Sequence, residues 1–371
     1  MTSPSSKEKA SAARSGSEID DVSAQFHIFS CGQGDTILLG LSCGKWALID
    51  CNLPTGVLRD EFFASLQKLG INRLDLVCLT HPHDDHYTGM EAVLRHYTTD
   101  GRSVGTFCDG GIEPKHIATL MRRRQRPESS VRAYESLYRY VWQLIEGHEI
   151  QYFRADENSR AIIFGEGESM QLLPLGPKAD IMGASMRDVV SLGKVRTDLN
   201  SISVILALCI RHELGAFDAL LSADADCNSI NSAIKRLGEL VSDGGVFDMI
   251  KVSHHGSLES HRGSNACSCR RGARPSVAAV SAGHFDVLPD RLVLQDFLQQ
   301  GWTLLLTTKR IGGKEKRTPL SLSGISTSMD FSFGRNDLNV SWSAKRGLKW
   351  EPQSAQLEEA ELIHYETAGK K

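Results

Sequence analysis

No stretch of the chain approaches the roughly 18 apolar residues that a membrane-spanning helix requires. The opening segment, MTSPSSKEKASAARSGSEID, holds no apolar core of the kind that drives secretion. The expectation is a protein neither exported by that route nor embedded in a membrane. An excess of one charge is missing too: 42 Lys and Arg stand against 45 Asp and Glu, a net charge of -3. The field of the whole molecule gives no push toward nucleic acid or membrane, so a polyanion site has to be a local patch. Nor do any of the nine cysteines form the C-x-x-C pair of a zinc knuckle. Their number is odd, and Cys78 in DLVCLT and Cys209 in VILALCI sit in apolar runs where a free thiol acts as a small core residue. A reducing compartment, the cytoplasm, is the expectation that follows.

What is present is ordinary globular material: 371 residues, 41% hydrophobic and 23% charged, enough to bury a sizeable core. Residues 1–22 are rich in Ser, Ala and charge and read as a disordered tail, 23–350 as the folded domain, and 351–371 as a polar tail. The domain opens with QFHIFSCGQGDTILLG, two apolar stretches around a turn at Gly32 to Gly34, and KWALID is a third strand. VLRDEFFASLQKLG has apolar residues at helical spacing and stops at Gly70, after which LDLVCLT reads as a buried strand. Between 112 and 147, MRRRQR and AYESLYRYVWQLI belong to a mostly helical insertion. From 201 onward SISVILALCI, AFDALLSAD, FDMIKVSHH, SVAAVSAG and TLLLTT read as strands, with a helix near 290–300, and DFSFG and LNVSW follow as strands. Buried apolar strands alternating with helices indicate an α/β sandwich.

His81-Pro82-His83-Asp84-Asp85-His86 follows directly on the LDLVCLT strand. It packs nitrogen and oxygen ligands into six residues. In extended chain His81 and His83 point to one side, and Asp85 and His86 open the next segment, so one loop offers ligand pairs for two neighbouring ions. The bland alternative is a polar loop whose histidines only hydrogen-bond.

The pattern resembles the metallo-β-lactamase superfamily, whose H-x-H-x-D-H signature is met by His81, His83, Asp85 and His86. The resemblance implies a four-layer αββα sandwich. It also implies that Asp50, ending WALID, supports the metal histidines from behind, that Asp224 in SADAD bridges two metals, and that His254 and His255 in SHHGS form the late histidine motif. Within the superfamily, CGQGD, THPHDDH, LNSISVIL, SADAD, SHHGS and VSAG are similar to the soluble hydrolase domain of ComEC/Rec2-type competence channel proteins, without their membrane helices. Two departures stand out. Where a third histidine for the first metal is usual, this chain offers Asp198 and Asn200, and where that family has Gly-His-Pro it has Leu288-Pro289, with His284 nearby as a replacement or as a plain surface residue.

The resemblance implies zinc or manganese, two ions, bound by His81, His83, Asp85, His86, Asp224 and His254. A water held between them, its pKa lowered, would attack phosphorus or carbonyl, with Asp85 in the catalytic centre and His255 or His284 protonating the leaving oxygen. Arg122, Arg123, Arg124 and Arg126, and Arg270, Arg271 and Arg274, are candidate contacts for a DNA or RNA backbone, or else solvated faces. Three readings follow. The first is a two-metal phosphodiesterase acting as a nuclease, and the second a hydrolase of a small cyclic nucleotide or ester. The third is a degenerate metal-binding module that binds a partner protein through 112–147.

Overall fold

The computed structural model describes residues 22–99, 101–164, 169–190, 198–242, 244–272, 274–282, 288–307, 337–351 and 356–357. Residues 1–21 of the tail read at 1–22, the DFSFG segment, His284 and most of 351–371 lie outside these described residues.

The strands are β1 (Ser23–Ile28), β2 (Ile37–Leu41), β3 (Trp46–Ile49), β4 (Arg73–Cys78), β5 (Ser103–Asp109), β6 (Gln151–Arg154), β7 (Ile162–Phe164) and β8 (Met170–Pro174). The chain continues with β9 (Leu206–His212), β10 (Gly215–Leu221), β11 (Met249–Lys251), β12 (Val277–Val280), β13 (Thr303–Leu306), β14 (Leu338–Ser343), β15 (Gly347–Glu351) and β16 (Gln356–Leu357). They form two eight-stranded sheets, ordered β15-β14-β1-β2-β3-β4-β5-β6 and β16-β13-β12-β11-β10-β9-β8-β7. Each sheet has a parallel run, β3 to β6 in the first and β10 to β13 in the second, flanked by antiparallel strands. Gln356–Leu357, within the segment read as a polar tail, pairs with β13.

Nine helices occur among the described residues: α1 (Gly56–Lys68), α2 (Asp84–Tyr87), α3 (Met90–Tyr97), α4 (Pro114–Arg123), α5 (Glu128–Glu146), α6 (Ala179–Val190), α7 (Cys227–Leu240), α8 (Leu258–His261) and α9 (Arg291–Gln299). The period-two alternation of the strands decides the layering. Ile37, Leu39, Ala47 and Ile49 meet Leu206, Leu208, Ala219 and Met249 in the core between the sheets. Leu38 and Leu48 point the other way, into a core shared with Phe62 and Leu66 of α1, Val93 of α3 and Leu137 of α5. Ala207, Leu220 and Ile250 pack outward against Ile230 and Leu237 of α7 and Phe297 of α9. The result is helix, sheet, sheet, helix, the four-layer arrangement that the resemblance implied. The helical stretch near 112–147 is α4 and α5, the crossover between β5 and β6.

SISVILALCI differs from its expected form: Asn200–Ile202 is a 3₁₀ turn and the strand begins at Leu206. The turn lets Val204 N–H reach the carbonyl of Thr80 at 2.8 Å, binding this segment to the end of β4.

Candidate metal centre

Parallel strands deliver their residues to one end of a sheet, and ligands collect at the carboxyl ends. Asp50 follows β3, Thr80 to His86 follow β4, Asp224 follows β10, and His254 and His255 follow β11. The CGQGD turn closes over the same place. Gly34 has φ +136, and a Cβ there would collide with the Asp85 carbonyl and the Asn52 amide, so only glycine lets the turn approach.

Three imidazoles are fixed in the same tautomer. His86 Nδ1 donates to Asp50 Oδ2 at 2.7 Å. Thr80 Oγ1 gives its proton to Asp50 Oδ2 at 2.5 Å, so it accepts from His81 Nδ1 at 3.2 Å. His255 Nδ1 donates to the Ser281 carbonyl at 3.2 Å. In its neutral form each ring therefore presents a bare Nε2, the arrangement in which a partner behind the ring orients a metal ligand. His81, His86 and His255 Nε2 and Asp224 Oδ1 are all buried with no hydrogen-bond partner, a costly state that a cation would relieve.

Asp85, His86, Asp224 and His255 form one group. His86 Nε2 lies 3.5 Å from Asp224 Oδ1 and 4.0 Å from Asp85 Oδ1, and His255 Nε2 lies 3.5 Å from Asp85 Oδ2 and from Asp224 Oδ1. Tetrahedral ligands at about 2.1 Å from zinc stand roughly 3.4 Å apart, so the four residues fit a cation. Asp224 is shared with a second group, His81 and His83, with His81 Nε2 3.5 Å from Asp224 Oδ2. A third group, Asp50, His81 and His86, has its Asp50 oxygens already engaged by Thr80 and His86.

The carboxylates set the electrostatics. Burial pulls both imidazoles down, but Asp50, Asp224 and Asp85 outweigh it at His86, and Asp224, Asp85 and Asp35 outweigh it at His255, so both stand above the ordinary value. Burial would raise the Asp85 and Asp224 carboxyls, yet the histidines hold them below the usual range. His83 is pushed down to about 2, by burial first and then by His81 and Arg126, whose Nη2 donates to its Nε2 at 2.5 Å.

The structure places the two late histidines differently. His255, read as a proton donor, is fully buried with Nε2 in the four-residue group. His254, read as a ligand, joins no such group among the described residues. Its Nδ1 lies 3.0 Å from Ser260 Oγ and 3.4 Å from Asn200 Nδ2, its Nε2 lies 3.7 Å from Asp224 Oδ2, and its side chain is 25% exposed. The physical reason is backbone: both residues are left-handed, with φ 47 and 53, which turns adjacent rings to different sides. Asp198 is exposed, its carboxylate accepting the Asn200 N–H at 3.2 Å, and offers no oxygen to the centre. Asn200 Oδ1 is buried without a partner.

The basic clusters are largely engaged within the protein. Arg122 pairs with Glu128 and Glu135. Arg271 binds buried Asp218 and Asp248, and Arg274 faces Asp248, at the start of β11 and so at the opposite end of the sheet from Asp224. Arg270 donates to the Gln300 and Arg274 carbonyls.

Two residues were missed by the motif reading. Lys251, fully buried, pairs with Asp35 at 2.9 Å beneath His255. Its signal was a lysine inside the apolar run FDMIKV, since a fully buried lysine is nearly always paired. Arg126 was read for a nucleic-acid backbone, and no sequence signal tied it to His83.

Residues 30–126 match the family model of the metallo-beta-lactamase superfamily. It is similar to the solved structure of a diphosphatase from the PhnP family, at 15% identity over 80% of this chain and 98% of that one, with a TM-score of 0.40. It is also similar to the metallo-beta-lactamase fold protein YhfI from Bacillus subtilis, at 11% identity over 76% and 94%, with a TM-score of 0.38. No curated protein matches it. Among the described residues no helix is long and apolar enough to cross a membrane.

Proposed function

We propose that the protein is a metal-dependent phosphodiesterase that cleaves nucleic acid, DNA or RNA. The hydrolase part is carried by one observation, the buried and unpartnered donor atoms of His86, Asp224 and His255, grouped with Asp85 at cation-binding separations. Zinc or manganese held there supplies Lewis acidity that brings water toward ionisation at neutral pH and offsets phosphate charge. Asp50, Thr80 and the Ser281 carbonyl keep the imidazoles in the ligating tautomer. His254 is the residue we assign to proton transfer with the substrate, since its Nε2 stands at the site's edge, 3.7 Å from Asp224 Oδ2.

The phosphodiester and nucleic-acid part is supported by the motif resemblance to the ComEC/Rec2-type hydrolase domain, and by Arg126, a guanidinium suited to phosphate, beside His83. A second reading is hydrolysis of a small cyclic nucleotide or ester by the same centre; the cavity next to His81, lined by Thr80, Pro82, Asp109, Tyr134 and Tyr138, measures about 30 Å³ and is water-sized, so such a substrate would lie over the mouth of the centre. A panel of single-stranded and double-stranded DNA, RNA, a cyclic nucleotide and an ester, given to metal-loaded protein, separates the two. Cleavage that grows with oligonucleotide length supports the nuclease. Intact strands with hydrolysis of the cyclic nucleotide or ester leave the second reading.

A further inference from the structure

The two groups that share Asp224 are not equivalent. In the group of Asp85, His86, Asp224 and His255, the buried atoms His86 Nε2, His255 Nε2 and Asp224 Oδ1 have no partner. In the group of His81, His83 and Asp224, the His83 Nε2 lone pair is already taken by Arg126 at 2.5 Å. A guanidinium only donates, so His83 accepts at Nε2 and carries its own proton on Nδ1, which leaves neither ring nitrogen a lone pair for a metal ion. The usual third histidine is absent as well, and Asn200 offers one neutral amide oxygen.

Arg126 is held where it is. Gln125 before it is left-handed at φ 58, the Arg126 N–H donates to the Met121 carbonyl at 3.0 Å, and Pro127 leads into α5. The start of α5 is in turn tied to the ligand loop. Tyr87 Oη donates to the Ser130 carbonyl at 2.7 Å, and Ser130 Oγ donates to Asp84 Oδ2 at 3.2 Å.

We propose that the centre holds a single divalent cation, at Asp85, His86, Asp224 and His255, and that the Arg126 guanidinium stands in place of the first one, its remaining N–H groups gripping a non-bridging oxygen of the substrate phosphate. This replaces the expected pair of ions. The cation count stands on the geometry alone, while the phosphate contact rests on the phosphodiesterase reading. A planar, permanently charged fork suits a phosphate oxygen without needing ligands of its own.

The test is metal content. Metal-stripped protein is saturated with zinc, and separately with manganese, desalted and measured by elemental analysis. Wild type is expected to hold one ion per chain. His83→Ala keeps that ion, and Arg126→Met, which bares His83, takes up a second. Two ions in wild type, a lost ion in His83→Ala, or a single ion still in Arg126→Met overturns the proposal, and His83→Ala carries the test by itself should Arg126→Met not fold. For the phosphate contact, calorimetric titration with inorganic phosphate compares wild type and Arg126→Met, each loaded with one equivalent of zinc. Binding at least tenfold weaker in the variant is expected. Equal affinity overturns the contact and leaves the count standing, whereas one ion per chain without phosphodiester cleavage defeats the functional reading alone.

Discussion

Lys251 and Asp35 lie 216 positions apart in sequence, yet Lys251 Nζ sits 2.9 Å from an Asp35 oxygen with both side chains almost wholly buried. The pair joins the last residue of β11 in one sheet to the CGQGD turn of the other, directly beneath His255, whose Nδ1 is 3.9 Å from Asp35. Burial would raise the Asp35 carboxyl, and Lys251 outweighs it and holds the group ionised.

Removing one partner of such a pair leaves a buried charge uncompensated. Lys251→Met is expected to cost about 3–5 kcal/mol of unfolding free energy. Adding Asp35→Asn should recover much of that loss. Urea denaturation of the two single variants and the double variant checks it, and additive losses would show that the pair is not coupled.

Asp50 is predicted to act through His86 and Thr80. Asp50→Asn suits the left-handed backbone at φ 55 and keeps the fold, but loses the charge that holds both residues. Cation affinity, read by competition with a chromophoric chelator, should fall roughly 10–100-fold. Unchanged affinity would mean that the carboxylate only fills space.

Metal removal should lower stability, because the apo centre leaves Asp85 and Asp224 together among unpartnered imidazoles. At a hundredfold excess over its dissociation constant a cation adds about 2.7 kcal/mol. For a chain of this size that corresponds to a thermal midpoint higher by about 3–4 °C. No shift on reloading chelator-treated protein would count against a bound cation.

Arg271 has a different predicted role from the one its cluster suggested. Arg271→Ala uncovers Asp218 and Asp248, and Arg211 remains as a partner for Asp218, so a loss of about 2–4 kcal/mol is expected. The KM for an oligonucleotide should stay the same. A raised KM with unchanged stability would return Arg271 to the substrate.

The order of the layers was legible because the strands carry their alternation plainly, and His81 to His86 stood out because no packing argument explains so dense a set of ligands. β6, β7, β8 and α6 were not read. β6 is mostly exposed at the sheet's edge and β7 is three residues long, so neither shows a clean period. His254 and His255 are chemically identical neighbours, and only the left-handed turn decides which ring enters the centre. Arg126 reaches His83 across 43 residues through the packing of α4 and α5, a relation that local pattern does not encode.

The central claim is that a cation at Asp224 drives phosphodiester cleavage. The most direct measurement is the initial rate on a labelled oligonucleotide by metal-stripped and manganese-reloaded protein, for wild type and for a folded Asp224→Ala. The account predicts cleavage by reloaded wild type alone. Contradiction would be cleavage by Asp224→Ala within about threefold of wild type, or no cleavage of any nucleic acid or cyclic nucleotide by wild type shown to carry its cation.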